Sequence, residues 1–201
     1  MIQGSPEWFA ARCGRATASR FADVLAKIKS GEAAGRRNYK AQLVAERLTG
    51  VPAESYTNAA MTWGTDNEPF ARAAYEAQTG NLVEQIAFIP HAELMAGASP
   101  DGLIDADGGI EIKCPNTATH IDALLKGMPA DHIPQIQGCM WLSGRQWWDF
   151  VSFDPRMPER LQLYVQRVPR DEAYITQLAA EVIVFLKEVD LLVIELERKA
   201  A

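Results

Sequence analysis

Residues 99–115, SPDGLIDADGGIEIKCP, place two acids and a lysine on two short apolar runs joined by a turn. In a strand, side chains alternate between faces, so Glu111 and Lys113 point the same way while the neighbouring isoleucines point into the core. Asp101 lies on the preceding run, near enough across the turn to share that face. Two carboxylates and an ammonium on one face are costly unless a cation joins them. The pattern predicts a metal site, and a solvated surface hairpin is the alternative that stays open.

The oxygen ligands of this segment suit a hard divalent ion such as Mg²⁺, which takes carboxylate, carbonyl and water oxygens and bridges readily to phosphate. The Ile112 carbonyl lies between the two functional side chains of the second run and offers a further ligand. Lys113 would orient or help deprotonate an attacking water, or stabilise the charge of a phosphorane. The chemistry indicated is attack of water on a phosphate ester.

Other ligand patterns in the chain are weaker. Asp105 and Asp107 lie in DADGG, which lacks the third oxygen ligand and the distal glutamate of a calcium loop, so we interpret the segment as a turn. Neither GxxxxGK[ST] nor HExxH occurs, which argues against a P-loop and against a zinc peptidase. The histidines show no ligand spacing and receive no role.

The length of 201 residues predicts one domain, residues 1–201, with a core large enough to fold alone. No apolar run approaches the roughly 20 residues that span a bilayer, and the N-terminus lacks the basic-then-apolar order of a secretory signal. Cys13, Cys114 and Cys139 are odd in number and lack metal-ligand spacing, which favours reduced thiols. We therefore expect a cytoplasmic protein with no membrane partner.

The charge is unevenly distributed. The chain carries a net charge of −6, yet the stretch from Arg12 to Lys40, here called the basic stretch, holds eight basic and two acidic residues. That stretch therefore carries +6 and the remainder −12. Such asymmetry is typical of a polyanion-binding surface on an acidic body, and equally of a solvated helical face. Charge alone does not separate the two.

The order of elements predicts an α/β fold with a central mixed β-sheet flanked by helices. The last helix carries an apolar stripe that we expect to pack on the chain's own sheet rather than on a partner. The predicted helices are 5–48 with a break at 30–35, 67–80, 119–126, 131–143 and 170–199, and the predicted strands are 82–89, 96–104, 108–114, 147–154 and 161–168. A loop is predicted over 52–60.

Several motifs carry a family resemblance. Asp101-(x)9-Glu111-Ile112-Lys113 looks like the core motif of the PD-(D/E)xK nuclease superfamily, with Pro100 as the leading proline. The blocks WGTDNEPFARAAYE, ASPDGLI, GIEIKCP, PQIQGCMW and DPRM resemble the phage lambda exonuclease family (alkaline exonuclease, YqaJ-type viral recombinase). RCGRATAS resembles that family's Arg-(x)6-Ser entry motif. The blocks keep the family's order over roughly residues 8–174, and the resemblance implies a restriction-endonuclease-like core.

The resemblance also implies the roles of the central residues. Asp101 and Glu111 would be metal ligands, with the Ile112 carbonyl completing the set. Lys113 would be the catalytic lysine. Glu68, at the end of WGTDNE, matches a helical glutamate that helps to hold metal and water.

Four further positions match the family. Gln135 matches a glutamine near the nucleophile, although Gln137 of the same PQIQ block is an alternative on another helix face. Arg12 and Ser19 match residues that receive a DNA 5′-phosphate. Met61, just before a predicted turn at Trp63-Gly64, stands where the family places an apolar wedge at the terminal base pair, or else packs in a loop.

The chain departs from the family after its Lys-Cys-Pro block. The prototype carries a further phosphate-binding arginine there, whereas this stretch offers only Thr117, Thr119 and His120. Phosphate anchoring would be weaker, or shared with Arg15 or another basic residue.

The resemblance implies a Mg²⁺-dependent exonuclease, with Mn²⁺ as a substitute ion, that degrades double-stranded DNA in the 5′-to-3′ direction and leaves 3′ overhangs. It also implies a homotrimer that threads DNA ends and works beside a single-strand annealing recombinase in phage or prophage recombination. The alternatives are a restriction-type endonuclease and a catalytically silent DNA-end-binding module. The complete set of acids and lysine argues against the silent module, because clustered acids repel phosphate.

Overall fold

The strands of the computed structural model form two sheets rather than one central sheet. The structure describes residues 1–53 and 58–200. Its strands are β1 (Ala16–Thr17), β2 (Ile89–Pro90), β3 (Ala96–Ala98), β4 (Gly102–Ile104), β5 (Gly108–Lys113), β6 (Trp147–Phe153) and β7 (Leu163–Pro169). Its α-helices are α1 (Pro6–Arg12), α2 (Phe21–Leu25), α3 (Ala34–Thr49), α4 (Ala59–Thr79), α5 (Thr117–Lys126), α6 (Ile133–Ser143) and α7 (Glu172–Ala200). The predicted α/β class with mixed sheet and flanking helices is confirmed.

The larger sheet has the order β4-β5-β6-β7, with β5 and β6 parallel and the other neighbours antiparallel. Gly109 lies opposite Trp148 in this register, and a Cβ at Gly109 would stand 2.3 Å from the indole ring. A glycine is therefore required for the fully buried tryptophan to lie across β5. The smaller sheet has the order β1-β3-β2.

The two faces of the larger sheet bury different helices. Helix α4 packs on the face that carries Ile110, Ile112 and Val151. The opposite face carries Trp148 and Phe150, which share a core with α2, α3, α6 and α7. Because side chains alternate along β5, Glu111 and Lys113 lie on the α6 side of the sheet, away from the isoleucines.

Two strand predictions and two helix predictions need correction. The predicted helix over 5–48 contains β1, which pairs with β3 in parallel. The predicted strand over 82–89 is reduced to β2 at its end and to a bridge between Glu84 and Leu103. The predicted strand over 96–104 is divided at Ser99-Pro100-Asp101, and its halves β3 and β4 belong to different sheets. Proline cannot donate to a sheet ladder, which explains the break.

Helix α4 begins eight residues earlier than predicted. Asn58 caps it by accepting a hydrogen bond from the Met61 amide at 2.9 Å. Trp63-Gly64 is therefore helical rather than a turn. The predicted loop over 52–60 falls partly on residues 54–57, which lie outside the described residues.

The apolar stripe of α7 is buried in its first part and exposed in its last part. Its first part packs inside the chain through Ile175, Leu178, Val182, Phe185 and Val189. It packs on α2, α3 and α6, however, and not on the sheet as predicted. Its last part is exposed, since Leu192 and Leu196 are 36% and 43% exposed. In the part of the chain that the structure describes, no helix combines the length and apolar character needed to cross a membrane.

Candidate active site

The hairpin of β4 and β5 brings the two predicted acids together. Asp101 immediately precedes β4, and Gly102 pairs with Ile110, so Asp101 and Glu111 are neighbours across the hairpin. The Asp101 Oδ2 atom accepts a hydrogen bond from the Ile112 amide at 2.6 Å. The turn residue Asp105 is exposed and has a φ of 46°, which identifies DADGG as turn chemistry.

Glu111 is the centre of the site. Its side chain is buried, with 1% exposed. Its Oε1 atom accepts hydrogen bonds from Lys113 Nζ at 2.5 Å and from Gln135 Nε2 at 2.6 Å. Its Oε2 atom is buried and has no partner among the described residues. An unpaired buried carboxylate oxygen is costly, so this atom is suited to a ligand.

The buried charges of the site perturb the pKa values of Asp101 and Lys113. Burial and the neighbouring Glu111 carboxylate raise the pKa of Asp101 well above its usual range. Burial lowers the pKa of Lys113, but the opposing attraction of Glu111 and Asp101 outweighs it, so the net pKa is raised. Lys113 therefore presents an ammonium to the Glu111 carboxylate.

Glu68 and Ile112 line a cavity of about 530 Å³, here called the acidic cavity. Glu68 comes from α4, where its Oε1 atom accepts a hydrogen bond from Arg72 at 2.9 Å. Asp101 and Lys113 line the same cavity. Sequence positions 68, 101, 112 and 113 thus converge on one space, as predicted.

The donor set fits a hard divalent cation. No group of three or more His, Cys, Asp or Glu side chains within residues 1–53 and 58–200 forms a metal cluster by itself. The available ligands are instead the Asp101 carboxylate, the Glu111 carboxylate through its unpaired Oε2 atom, the Ile112 carbonyl and water. Mg²⁺ binds through one or two carboxylates and keeps several waters, so two acids suffice.

The structure distinguishes the two glutamines. Gln135 extends from the first turn of α6 to Glu111. Gln137 is buried elsewhere, donating to the Pro169 carbonyl at 3.0 Å and accepting from the Asp171 amide at 3.0 Å. Gln137 therefore fastens the start of α7, and Gln135 belongs to the site.

A second cavity of about 370 Å³, here called the arginine cavity, contains Arg12 and Ser19. The Arg12 guanidinium lies 4.2 Å from the centre of the Trp8 ring and donates to Ser99 Oγ at 2.8 Å. Ser99 stands two residues before Asp101, so Arg12 is hydrogen-bonded to a side chain of the segment that leads into the acidic cavity. Met61 lines both cavities and is 51% exposed. The predicted wedge therefore lies at the junction of the two cavities.

Some cations of the basic stretch form ion pairs within the chain, and others line the arginine cavity. Arg36 and Lys40 both pair with Glu32 and with Glu188 of α7, so their charge is neutralised within the chain. The arginines that line the arginine cavity are Arg12, Arg15 and Arg20. The cations that line a cavity are thus confined to the start of the stretch, whereas Lys27, Arg36 and Lys40 form ion pairs with acids of α7.

Most side chains in the stretch that departs from the family pattern, Thr117 to His120, make structural contacts. Thr117 donates to Asp154 at 2.7 Å, and the buried His120 ring contacts Ser152 and the Leu161 carbonyl at 2.8 Å each. Thr119 is exposed and lines the acidic cavity. No residue of this stretch supplies a second cation.

Sequence reasoning missed two residues near the acidic cavity. His132 lines it, although its spacing gives no ligand signal. Arg156 lies 4.4 Å from the centre of the Trp63 ring and pairs with the buried Asp154 at 2.7 Å. The sequence signal for Arg156 was its position in the DPRM block, which resembles a block of the family. Trp63 is partly buried against the core below α4, and Trp141 and Trp147 also pack against core clusters.

The fold is similar to those of an alkaline exonuclease and of a phage related exonuclease. The alkaline exonuclease LHK-Exo from Laribacter hongkongensis matches with a TM-score of 0.91 and 47% sequence identity over 98% of each chain. The same values hold for LHK-Exo in complex with dAMP. A phage related exonuclease from Haemophilus somnus matches with a TM-score of 0.73 and 18% identity, over 90% of this chain and 96% of the other, which is a likeness of fold alone.

A family model for the YqaJ-like viral recombinase domain matches residues 7–146. The chain belongs to the YqaJ-like viral recombinase domain family, and it is a homologue of an alkaline exonuclease. Among curated proteins, none matches the chain.

Proposed function

We propose that the protein is a recombination-related exonuclease that requires Mg²⁺ and degrades one strand of duplex DNA from its 5′ end. The observation that carries this proposal is the buried Glu111 carboxylate, which holds Lys113 and Gln135 on one oxygen while its other oxygen lacks a protein partner. The family and the alkaline exonuclease homologue support the same class of reaction. The homologue's complex with dAMP supports a nucleotide as the ligand.

Mg²⁺ would be held by Asp101, Glu111 and the Ile112 carbonyl, and when bound it would supply Lewis-acid stabilisation and a more acidic water. Lys113 presents an ammonium to the negative charge that develops on the phosphate. Gln135 holds the Glu111 carboxylate in place from α6 and leaves its second oxygen free for the ion. Glu68 adds an acceptor for water from the α4 wall of the cavity.

The direction of travel is the part of the proposal that depends on the arginine cavity. A terminal 5′-phosphate carries extra negative charge, and a guanidinium can bind two of its oxygens. Arg12 is fixed in orientation by Trp8 and Ser99, and Ser19 offers an exposed hydroxyl in the same cavity. Met61 separates this cavity from the acidic one, where it would part the end base pair. Each cut then regenerates a phosphate for Arg12, and degradation proceeds one way with a 3′ overhang as product.

The direct test uses linear duplex DNA labelled separately at each 5′ and 3′ end, with 5′-phosphate or 5′-hydroxyl termini. Mg²⁺ should support loss of the 5′ label first, faster for the phosphorylated ends, and Mn²⁺ should substitute. Closed circular DNA should stay intact, and its cleavage would instead indicate a restriction-type endonuclease. End binding without any cleavage would indicate a silent binding module.

The phosphate anchor has a matched control. Arg12→Ala should erase most of the preference for 5′-phosphate, whereas Arg37→Ala removes the same charge from an exposed site on α3 outside both cavities. Full phosphate preference in the Arg12 variant would move the anchor elsewhere, with Arg15 as the next candidate. Equal loss of rate on both substrates would indicate a structural role.

We also propose a homotrimer that encloses DNA and acts in the cytoplasm beside a single-strand annealing recombinase of phage or prophage type. The exposed apolar side chains near the end of α7 support self-association. Light scattering should then give three times the 22.2 kDa chain mass. A monomer at micromolar concentration would exclude threading and leave a distributive nuclease.

A further inference from the structure

His132 occupies a position in the acidic cavity that neither its sequence pattern nor the metal ligands explain. It ends a short 3-10 helix and is the residue from which α6 begins, three positions before Gln135. Its ring stacks on Phe150, with 5.1 Å between ring centres and 29° between planes. Phe150 is the register partner of Glu111, and the next residue on that face, Ser152, is the partner of Lys113. The imidazole is therefore held beside the row of functional side chains on β5.

The ring differs from the other two histidines in what it contacts. Both nitrogens of the His120 ring are engaged by Ser152 and the Leu161 carbonyl, and His91 Nδ1 accepts from the amides of Glu93 and Leu94. In the described parts of the chain, no hydrogen bond engages the ring of His132. A polar ring fixed by stacking and left without a protein partner inside a cavity is suited to a ligand.

The charge state of this ring also fits a donor to phosphate. Burial lowers the pKa of His132, and the nearby Lys113 ammonium lowers it further. The ring is therefore neutral at neutral and alkaline pH, and a neutral imidazole carries one N–H donor. Such a donor adds a hydrogen bond next to Lys113 without adding a second like charge.

We propose that His132 is a further catalytic residue, whose ring N–H donates a hydrogen bond to a non-bridging oxygen of the scissile phosphate. This inference rests on the proposed nuclease function and deepens it. The bond strengthens as negative charge develops on that oxygen, so its loss should affect kcat more than KM. Lys113 and His132 would then approach the same phosphate from two elements, β5 and the start of α6.

Two variants separate donation from packing. His132→Phe keeps an aromatic ring against Phe150 and removes the donor, whereas His132→Tyr keeps a ring and supplies an O–H donor. The Phe variant should lose about 100- to 1000-fold in kcat on 5′-phosphorylated duplex, with thermal stability and Ca²⁺-supported end binding retained. The Tyr variant should recover much of that loss. Equal losses in the two variants, or full kcat in the Phe variant, would overturn the proposal.

Sulfur substitution identifies the phosphate oxygen. Replacing one non-bridging oxygen of the scissile linkage by sulfur should slow the wild-type protein, and the same replacement should slow His132→Phe much less, because the bond is already absent. Additive effects for both sulfur diastereomers would place His132 away from the phosphate.

A readout without cleavage separates this inference from the proposed function. The ring NMR signals of His132 should shift when a 5′-phosphorylated duplex is added in Ca²⁺, while those of His91 and His120 stay unchanged. A wild-type protein that degrades no linear DNA would contradict the proposed function, and the NMR shift would still decide whether His132 contacts the strand. Active wild-type protein with no His132 shift would contradict this inference alone.

Discussion

Replacing one acid of the candidate metal site should make the protein more stable without metal and less responsive to metal. Asp101→Asn removes a charge next to buried Glu111 but keeps an oxygen that can accept the hydrogen bond from the Ile112 amide. Repulsion between the two carboxylates is one cause of the raised pKa of Asp101. The metal-free variant should therefore have a higher Tm than the metal-free wild-type protein, because that repulsion is relieved.

The size of the metal effect follows from mass action. A ligand present at 100 times its Kd stabilises the folded state by about 2.7 kcal/mol. For a chain of this length, 1 kcal/mol corresponds to about 2–4 °C in Tm, so saturating Mg²⁺ should raise the wild-type Tm by about 5–10 °C. The ion also satisfies Glu111 Oε2, whose unpaired burial costs about 1–3 kcal/mol. Asp101→Asn should reduce the Mg²⁺ shift to a small fraction of the wild-type value.

Thermal unfolding in EDTA and in rising Mg²⁺ measures both effects without any substrate. The matched control is Asp105→Asn, the same chemical change in the exposed turn of the hairpin, where asparagine tolerates the positive φ. This control should keep the wild-type shift and full activity. An undiminished Mg²⁺ shift in Asp101→Asn, or an equal loss in Asp105→Asn, would refute the assignment of the metal to the β4–β5 hairpin.

Three further outcomes are expected. Lys113→Ala should lower turnover strongly while Ca²⁺-supported end binding persists, and a parallel collapse of binding would make Lys113 a phosphate anchor. Gln135→Ala should lower kcat with little change in Tm, whereas Gln137→Ala should mainly lower Tm; the reverse order would exchange their roles. Asp154→Asn should cost about 2 kcal/mol of unfolding free energy at pH 7, since its pKa falls from 3.8 to about 2 on folding. The wild-type contribution is complete above pH 3.8 and disappears as pH falls through about 2, so urea titrations from pH 7 to 2 should show a shallower decline in the variant.

The hairpin at the centre of the site was predictable because its information is local. Alternation along β5 and a turn sequence between two apolar runs determine which side chains share a face. Local sequence pattern does not assign the roles of Gln135 and Gln137, since both lie on α6 and differ only in which residues pack against them. Their assignment needed Glu111 on one side and the start of α7 on the other.

The misplaced elements were those whose sequence signals are weak or distant. Helix α4 contains Gly64 and Pro69, which suggested a turn and a later start, and the Asn58 cap was the overlooked signal. Strand β1 has two residues and exists only through its pairing with β3, which lies about 80 residues away. The partner of Arg36 and Lys40 on α7 is about 150 residues away, so their neutralisation could not be seen in a charge count.

Arg156 makes contacts between residues distant in sequence that help to position the site and that local sequence pattern does not reveal. It extends from the connection between β6 and β7, pairs with the fully buried Asp154, donates to the Pro115 carbonyl at 3.1 Å and stacks on Trp63. Burial raises the pKa of Asp154, but the hydrogen bonds from Arg156 and Thr117 outweigh it, so the carboxylate stays charged and holds the guanidinium. Trp63 lies near the start of α4, five residues before the glutamate of the acidic cavity. The buried Asp154 carboxylate thereby links the end of β5, which carries Lys113, to α4, which carries Glu68 on the opposite wall of the acidic cavity. The geometry of that cavity depends on both elements.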